Sequence, residues 1–324
     1  MAQLAESPQH QYQIDAGIKG RKKGHKFEAE LATEINRLWF PEIRPVKNTE
    51  HLFRGNPARQ LLQYIANGEG ITILRAHAYW LGGLATSGQG DSLLDENGKP
   101  ITGSKSDVLI KLTLEDREKI IGVSVKTCNK KTPTNDQMFF TTAKAFCKLL
   151  EDNGIPVSKQ AKNGMSMFCG DVGYRPIDNM SETELNKRLS DPRRYYWEEL
   201  PEKARGEWKD IFVNNQDYIT KLLFQKAYKV DPYPPEYLLH QTVKYDDFKD
   251  CPTAIFSIDE IVKKSREYCG YILSTYQIHK GTYKNDPNIH EAPRFGFIQF
   301  QRGGQKQHPT QLQFNLKSGY FNHI

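Results

Sequence analysis

The sequence predicts an α/β fold in which a mixed central β-sheet is flanked by helices and a β-hairpin lies near the C-terminus. Three observations predict it. Two β-branched runs, residues 108–113 and 120–125, are separated by a short charged turn. Apolar residues recur at helical spacing in residues 24–38, and residues 311–317 alternate polar and apolar side chains without a break. A chain of 324 residues can bury one large core or the cores of two fused domains.

The two β-branched runs predict a hairpin that holds a carboxylate beside an ammonium group. If its turn centres between Asp116 and Arg117, Asp107 pairs across the ladder with Lys126. Ser124 then projects from the same face as Lys126, because side chains alternate along a strand with period two. An ordinary exposed hairpin with a cross-strand ion pair remains an alternative, since such pairs are common and energetically minor.

A carboxylate and an ammonium at a strand end are the groups that metal-dependent phosphodiester hydrolysis needs. Mg²⁺ takes hard oxygen ligands, and we expect Asp107 and the backbone carbonyl of Val125 to be candidates. A bound Mg²⁺ polarises a phosphoryl oxygen and lowers the pKa of a bound water. Lys126 would orient or deprotonate that water, or stabilise the charge on the phosphate.

Residues 24–38 predict an amphipathic helix that carries a second acidic candidate. Glu28 lies within its apolar stripe, which is formed by Phe27, Leu31, Ile35 and Leu38. A carboxylate on a buried face is costly unless it is paired or bound to a cation, so Glu28 is a candidate metal ligand and catalytic residue. The alternative is that Glu28 borders the stripe and reaches solvent.

Further elements follow from periodicity and from chain breakers. We expect helices over residues 56–67, 135–152 and 255–268, the last starting at Ser257 or Asp259, and a mainly helical region over residues 181–228. Residues 70–74 predict a strand, and the prolines of residues 231–235 mark a boundary within the fold.

The C-terminal hairpin is predicted from residues 295–301 and 311–317, with a turn that starts at Arg302. No Asp or Glu occurs from residue 299 to residue 317, which favours an anionic partner. Amide side chains can pair with adenine and arginine with guanine, and a two-stranded ribbon fits the major groove of DNA. The candidate DNA-binding residues here are Gln299, Gln301, Arg302, Gln305, Lys306, Gln307 and Gln313. The alternative is an ordinary sheet edge with a neutral polar face.

The charge balance is moderately basic, with a formal net charge of +6. Lys23, Lys130 and Lys131 belong to two basic clusters and are further candidates for DNA contact, although a basic run is most often a solvated face. The five cysteines form no CxxC pair, which favours reduced thiols in a cytoplasmic protein. No signal peptide, no membrane span, no Walker loop, no nucleophile elbow and no zinc-protease motif is found in the sequence.

Taken together, the motifs resemble those of type II restriction endonucleases of the PD-(D/E)xK superfamily. Asp107 matches the first acidic position and Lys126 the last position of the motif, while Ser124 stands where Asp or Glu is commonest. That departure puts the second metal ligand in doubt, and Glu28 fits the glutamate that an N-terminal helix of the family often supplies. Short motifs of one family member occur in similar order along most of the chain, beginning with residues 24–28 and 103–107.

The resemblance implies a restriction-endonuclease-like core and Mg²⁺-dependent cleavage of both strands of double-stranded DNA at a short site. It implies a single endonuclease domain over residues 1–324. Residues 1–180 would form the catalytic core with its N-terminal helix, and residues 181–324 a helical segment and a C-terminal DNA-recognition region of the same fold. A cognate DNA methyltransferase would be a functional partner that need not bind the chain. A homodimer would suit a palindromic site. Two alternatives stay open: a repair or recombination nuclease that recognises DNA structure, and an inactive DNA-binding protein of the same fold.

Overall fold

The computed structural model describes residues 8–38, 42–82, 91, 93–95, 97–226, 231–277, 288–302 and 310–324. The chain divides into two compact units, each built from three separate stretches. Unit 1 comprises residues 1–13, 137–220 and 263–317, and unit 2 comprises residues 14–136, 221–262 and 318–324. Both halves of the chain, residues 1–180 and 181–324, therefore contribute to both units.

Strands and helices are interspersed along the described residues. The strands are β1 (Leu52–Gly55), β2 (Arg75–Trp80), β3 (Val108–Thr113), β4 (Glu118–Thr127), β5 (Asp136–Thr142), β6 (Pro235–Gln241), β7 (Cys251–Ser257), β8 (Tyr271–Gln277), β9 (Ile289–Phe295), β10 (Ile298–Arg302) and β11 (Gln311–Leu316). The helices are α1 (Pro8–Arg37), α2 (Pro57–Glu69), α3 (Ala143–Asp152), α4 (Lys159–Cys169), α5 (Pro176–Asn179), α6 (Glu182–Lys187), α7 (Glu202–Asn214), α8 (Gln216–Gln225) and α9 (Ile258–Cys269). None of these described helices is long and apolar enough to cross a membrane.

Unit 2 contains a six-stranded mixed sheet in the order β1-β7-β6-β4-β3-β2. β4 and β6 run parallel, and the other neighbouring strands are antiparallel. One buried cluster joins α1 and α2 to the sheet through Leu31, Ile35 and Ile65 on the helices and Ile110 and Val123 on the strands. The predicted architecture, a mixed sheet flanked by helices, is confirmed.

The predicted hairpin of β3 and β4 is confirmed, but its predicted register is wrong by two residues. Val108 pairs with Val123 and Thr113 with Glu118, and the turn is closed by a hydrogen bond from the Leu114 N–H to the Arg117 carbonyl. The turn therefore centres one residue earlier than predicted. Since the pairing register differs from the predicted one by an even number of residues, every side chain stays on its predicted face of the sheet.

Two other predicted elements are wrong in part. Residues 135–152 are not one helix, because they contain strand β5 followed by helix α3, which begins where the Thr142 hydroxyl accepts a hydrogen bond from the Ala145 N–H at 3.2 Å. Residues 70–74 contribute only an isolated bridge between Ile73 and Ile43. The strand is the following segment, β2, because its six residues pair with β3.

Unit 1 contains a five-stranded sheet in the order β5-β11-β10-β9-β8. The predicted C-terminal hairpin is confirmed as β10 and β11, and it lies inside this sheet rather than at its edge. Phe314 and Phe300 project from the buried face against Phe146 of α3 at 4.7 Å and Phe212 of α7 at 4.9 Å between ring centroids. The apolar face of the hairpin therefore builds the core of unit 1.

Candidate functional site

The candidate site lies in unit 2, where Asp107 precedes β3 and meets β4. The Asp107 Oδ2 atom accepts hydrogen bonds from the Val125 N–H at 2.6 Å and from the Ser124 hydroxyl at 3.3 Å. Lys126 Nζ lies 3.6 Å from the same oxygen, and it donates to Ser124 Oγ at 3.0 Å and to the Val125 carbonyl at 2.8 Å. The side chains of Lys126 and Asp107 are only 17% and 24% exposed. The structure thus gathers these predicted residues in a partly buried cluster.

The segment that leads to Asp107 is fixed by hydrogen bonds to residues that precede β6. The Ser104 hydroxyl donates to Asp231 Oδ1 at 3.0 Å, and the Lys105 N–H donates to Asp231 Oδ2 at 2.7 Å. The Ser106 hydroxyl donates to the Tyr233 carbonyl at 2.7 Å. These contacts join chain segments more than 120 residues apart in sequence, so Asp107 is positioned by tertiary structure.

Gly122 allows this close approach. A β-carbon at position 122 would lie 2.3 Å from the Ser106 Oγ and 2.6 Å from the Pro234 carbonyl oxygen. The pairing of β4 with β6 also shifts register between Gly122 and Val123. Glycine is needed at this position because no side chain fits between β4 and the segment that carries Asp107.

Glu28 on α1 is the second carboxylate of the site, and it is 7% exposed. Its Oε2 atom accepts a hydrogen bond from the Trp80 indole N–H at 3.1 Å. Burial raises the pKa of Glu28 to about 8, repulsion from Asp107 adds to this, and the Trp80 hydrogen bond and the Lys126 charge act in the opposite direction. A β-carbon at Gly82 would lie 1.8 Å from Glu28 Oε2, so the carboxylate occupies space that any other residue at position 82 would fill.

The donor set fits a hard divalent cation. Within the described residues, Glu28 forms no ion pair and Asp107 Oδ1 accepts no hydrogen bond. Two carboxylates that repel each other in a partly buried site are stabilised when a cation lies between them. In the described part of the chain, no group of three or more His, Cys, Asp and Glu side chains is arranged to hold a metal ion, so protein carboxylates would supply at most two ligands here. Mg²⁺ commonly binds through one or two carboxylates and completes its shell with water. The predicted third ligand, the Val125 carbonyl, is engaged by Lys126.

Three residues beside the site were not predicted. Lys105 is partly buried, and its burial together with the Lys126 charge lowers its pKa to about 8, against the opposing effect of Asp107. The His25 ring meets the Trp80 ring edge-on at 6.1 Å between centroids. Burial lowers the pKa of His25, the Arg21 charge lowers it further, and Asp107 opposes both. Helical periodicity counted back from Glu28 would have identified His25 and Arg21.

The predicted basic residues of unit 2 are exposed. Lys23 projects from α1, and Lys130 and Lys131 follow β4. Lys23 precedes Glu28 by five residues, which places it about 140° around the helix from Glu28. The structure therefore does not place Lys23 on the side of α1 that carries the candidate site.

The predicted glutamines of the hairpin lie on one face of the sheet in unit 1. Gln301 pairs with Gln313, and Gln299 pairs with Asn315. Gln301 is exposed, and Gln299 and Gln313 are partly exposed. The predicted residues Gln305, Lys306 and Gln307 lie outside the described residues.

Arg302 is not in a turn, so the predicted start of the turn is wrong. β10 extends through Arg302, and period-two alternation places its side chain on the buried face with Phe300. Arg302 is 9% exposed, and its guanidinium Nη1 lies 3.3 Å from Asp191 Oδ2. This placement does not favour contact with DNA.

The comparisons with known proteins give a likeness among solved structures only. No protein-family model and no curated protein sequence matches the chain. Among solved structures, it is similar to restriction endonuclease MspI in complex with its cognate DNA, with a TM-score of 0.40, 12% sequence identity and coverage of 75% of this chain and 71% of that chain. MspI is also the family member whose short motifs this sequence resembles. At this TM-score the likeness carries no argument about the site or its activity.

Proposed function

We propose that this chain is a type II restriction endonuclease that uses Mg²⁺ to hydrolyse both strands of double-stranded DNA at a short specific site. The observation that carries the proposal is the cluster in which Ser124, the Val125 N–H and Lys126 surround one oxygen of Asp107, with the buried carboxylate of Glu28 close enough to repel it. Carboxylates beside a lysine supply the groups that metal-dependent hydrolysis of a phosphodiester requires.

Each residue of the cluster has a distinct role in this proposal. Asp107, through its free Oδ1, and Glu28 hold Mg²⁺, which when bound polarises the phosphoryl oxygen and lowers the pKa of a bound water. The Val125 N–H fixes the orientation of the Asp107 carboxylate. Lys126 orients the attacking water or stabilises charge on the phosphate.

Ser124 explains how the site works with a neutral residue at the position where the family commonly has an acid. Its hydroxyl accepts a hydrogen bond from Lys126 Nζ and donates one to Asp107 Oδ2. Ser124 therefore fixes the ammonium group without adding negative charge. Glu28 then supplies the second carboxylate of the proposed metal site.

The biological context follows from the activity. A restriction enzyme endangers the genome of its own cell unless the recognition sites are protected, so the proposal includes a cognate DNA methyltransferase as functional partner. A palindromic site would be read by two copies of the chain arranged about a two-fold axis.

The experiment is digestion of a sequenced bacteriophage DNA with Mg²⁺, compared with EDTA and with the Asp107→Ala variant. Discrete fragments that require both Mg²⁺ and Asp107 are expected, and sequencing of the ends then gives the site. Cleavage of branched DNA with intact linear duplex would support a structure-specific nuclease instead. Salt-dependent binding without any cleavage would support an inactive DNA-binding protein.

A further inference from the structure

We propose that the side of α1 that carries Arg21 and His25 is a DNA-phosphate contact surface that leads into the candidate site. This inference rests on the proposed function and adds to it a specific surface. The DNA backbone would pass along this side of the helix, with Arg21 bonded to a phosphate that flanks the one being cleaved.

Helix geometry places these side chains on one line. Arg21, His25 and Glu28 follow the spacing i, i+4 and i+7, so they project from the same side of α1. Seven residues of helix rise by about 10 Å. Phosphates on one DNA strand follow each other at about 3.4 Å along the duplex axis. Arg21 therefore lies within a few nucleotides of a phosphate bound at Glu28.

Two contacts show that this side of α1 faces the ends of β4 and β2. A β-carbon at Gly24 would lie 3.6 Å from Glu28 Oε1 and 3.9 Å from Thr127 Oγ1, the last residue of β4. The His25 ring lies against Trp80, whose indole also bonds Glu28. One turn earlier on the same side of the helix, Arg21 is exposed.

The charge of Arg21 is available to an anion. Within the described residues its guanidinium forms no ion pair, and its electrostatic effect reaches His25. An arginine can bond a phosphate through two parallel N–H groups. The negative charge of Asp107 would repel DNA, so a cation at the approach offsets that repulsion.

The lysines of α1 provide a matched comparison because they lie on the other side of the helix. Lys19, Lys22 and Lys26 line a shallow surface groove of about 430 Å³. Lys22 is adjacent to Arg21 in sequence and is also exposed, yet its side chain projects about 100° away around the helix axis. Net charge and position along the chain are therefore equal for Arg21→Ala and Lys22→Ala, and only the side of the helix differs.

The experiment measures binding of a short DNA duplex at several salt concentrations, in the Asp107→Ala background with EDTA so that the DNA stays intact. Arg21→Ala should lower the magnitude of the slope of log K against log salt by about 1, the effect of one lost phosphate contact. Lys22→Ala should leave the slope unchanged, and Arg21→Lys should restore most of it. Equal effects of Arg21→Ala and Lys22→Ala, or a larger effect of Lys22→Ala, would overturn the inference.

Cleavage separates this inference from the proposed function. If the otherwise unmodified chain cuts DNA while the two alanine variants have equal salt slopes, the nuclease stands and the surface is wrong. If the chain cuts no DNA yet only Arg21→Ala lowers the slope, the surface stands and the nuclease is wrong. Circular dichroism checks that each variant is folded. We expect both to fold, because the side chains of Arg21 and Lys22 are exposed.

Discussion

Replacement of Glu28 by glutamine should make the metal-free protein more stable. The carboxyl group has its pKa raised from 4.5 to about 8 in the folded chain, so it takes up a proton on folding at neutral pH. The associated stability is fully present below pH 4.5, the pKa of the unfolded chain, and is lost as the pH rises to 8. At pH 7 the loss is about 3 kcal/mol, because one pKa unit corresponds to about 1.36 kcal/mol.

Glutamine removes this loss while it keeps an oxygen atom for the Trp80 indole N–H. Urea denaturation of the Glu28→Gln variant in EDTA should therefore give a free energy of unfolding about 3 kcal/mol above that of the parent chain at pH 7. At pH 4 the two proteins should be nearly equal. Glu34→Gln is the matched control, because Glu34 lies on the same helix but is partly exposed and ion-paired with Arg37. It should change stability by less than about 0.5 kcal/mol.

Addition of Mg²⁺ should make the parent chain more stable than the Glu28→Gln variant. A ligand that binds only the folded state raises the free energy of unfolding, so Mg²⁺ should stabilise the parent chain and have little effect on Glu28→Gln. Equal stability of the two proteins in EDTA at pH 7 would refute the argument that Glu28 is buried against Asp107. Equal stabilisation of both by Mg²⁺ would show that Glu28 is not a ligand.

Three further substitutions test the site. Lys126→Ala should lower the single-turnover rate of DNA cleavage by about 10²–10⁴-fold. Lys148→Ala, at an exposed lysine paired with Asp152, should stay near the parent rate as control, and an undiminished rate for Lys126→Ala would remove Lys126 from catalysis. Gly122→Ala should destabilise the protein by about 1–3 kcal/mol, because its β-carbon meets other atoms at 2.3 and 2.6 Å. Gly206→Ala, in a helix with no atom within 4 Å, should stabilise it by about 0.4–1 kcal/mol, and equal effects would contradict the packing argument. Gly82→Ala should displace the carboxylate of Glu28 and abolish the stabilisation by Mg²⁺ in thermal unfolding. Retention of that stabilisation would contradict the close contact between position 82 and Glu28.

Local patterns were enough to predict several parts of the fold correctly. The β-branched runs identify β3 and β4, and the alternation in residues 311–317 identifies β11. The apolar stripe identifies the part of α1 that is buried and places Glu28 within it. These predictions succeed because period two and period 3.6 are properties of the chain itself.

Contacts between distant segments explain the elements that were missed. β6 pairs in parallel with β4, which belongs to a much earlier part of the chain. β5 carries Met138, Phe139 and Phe140 in succession, which fits a helix as well as a strand until β11 provides its neighbour. Short apolar runs of this kind cannot be assigned by periodicity alone.

The same division applies to the candidate site. Alternation along β4 places Ser124 and Lys126 on one face whatever the register, so the sequence was sufficient to group them near Asp107. The hairpin register, the approach of Glu28 and the burial of Arg302 were not predictable in this way. The register depends on how the turn closes, the position of Glu28 on how α1 crosses the sheet, and the burial of Arg302 on which acidic residue a distant loop brings to it. Packing across the whole unit fixes these outcomes, and no local pattern does.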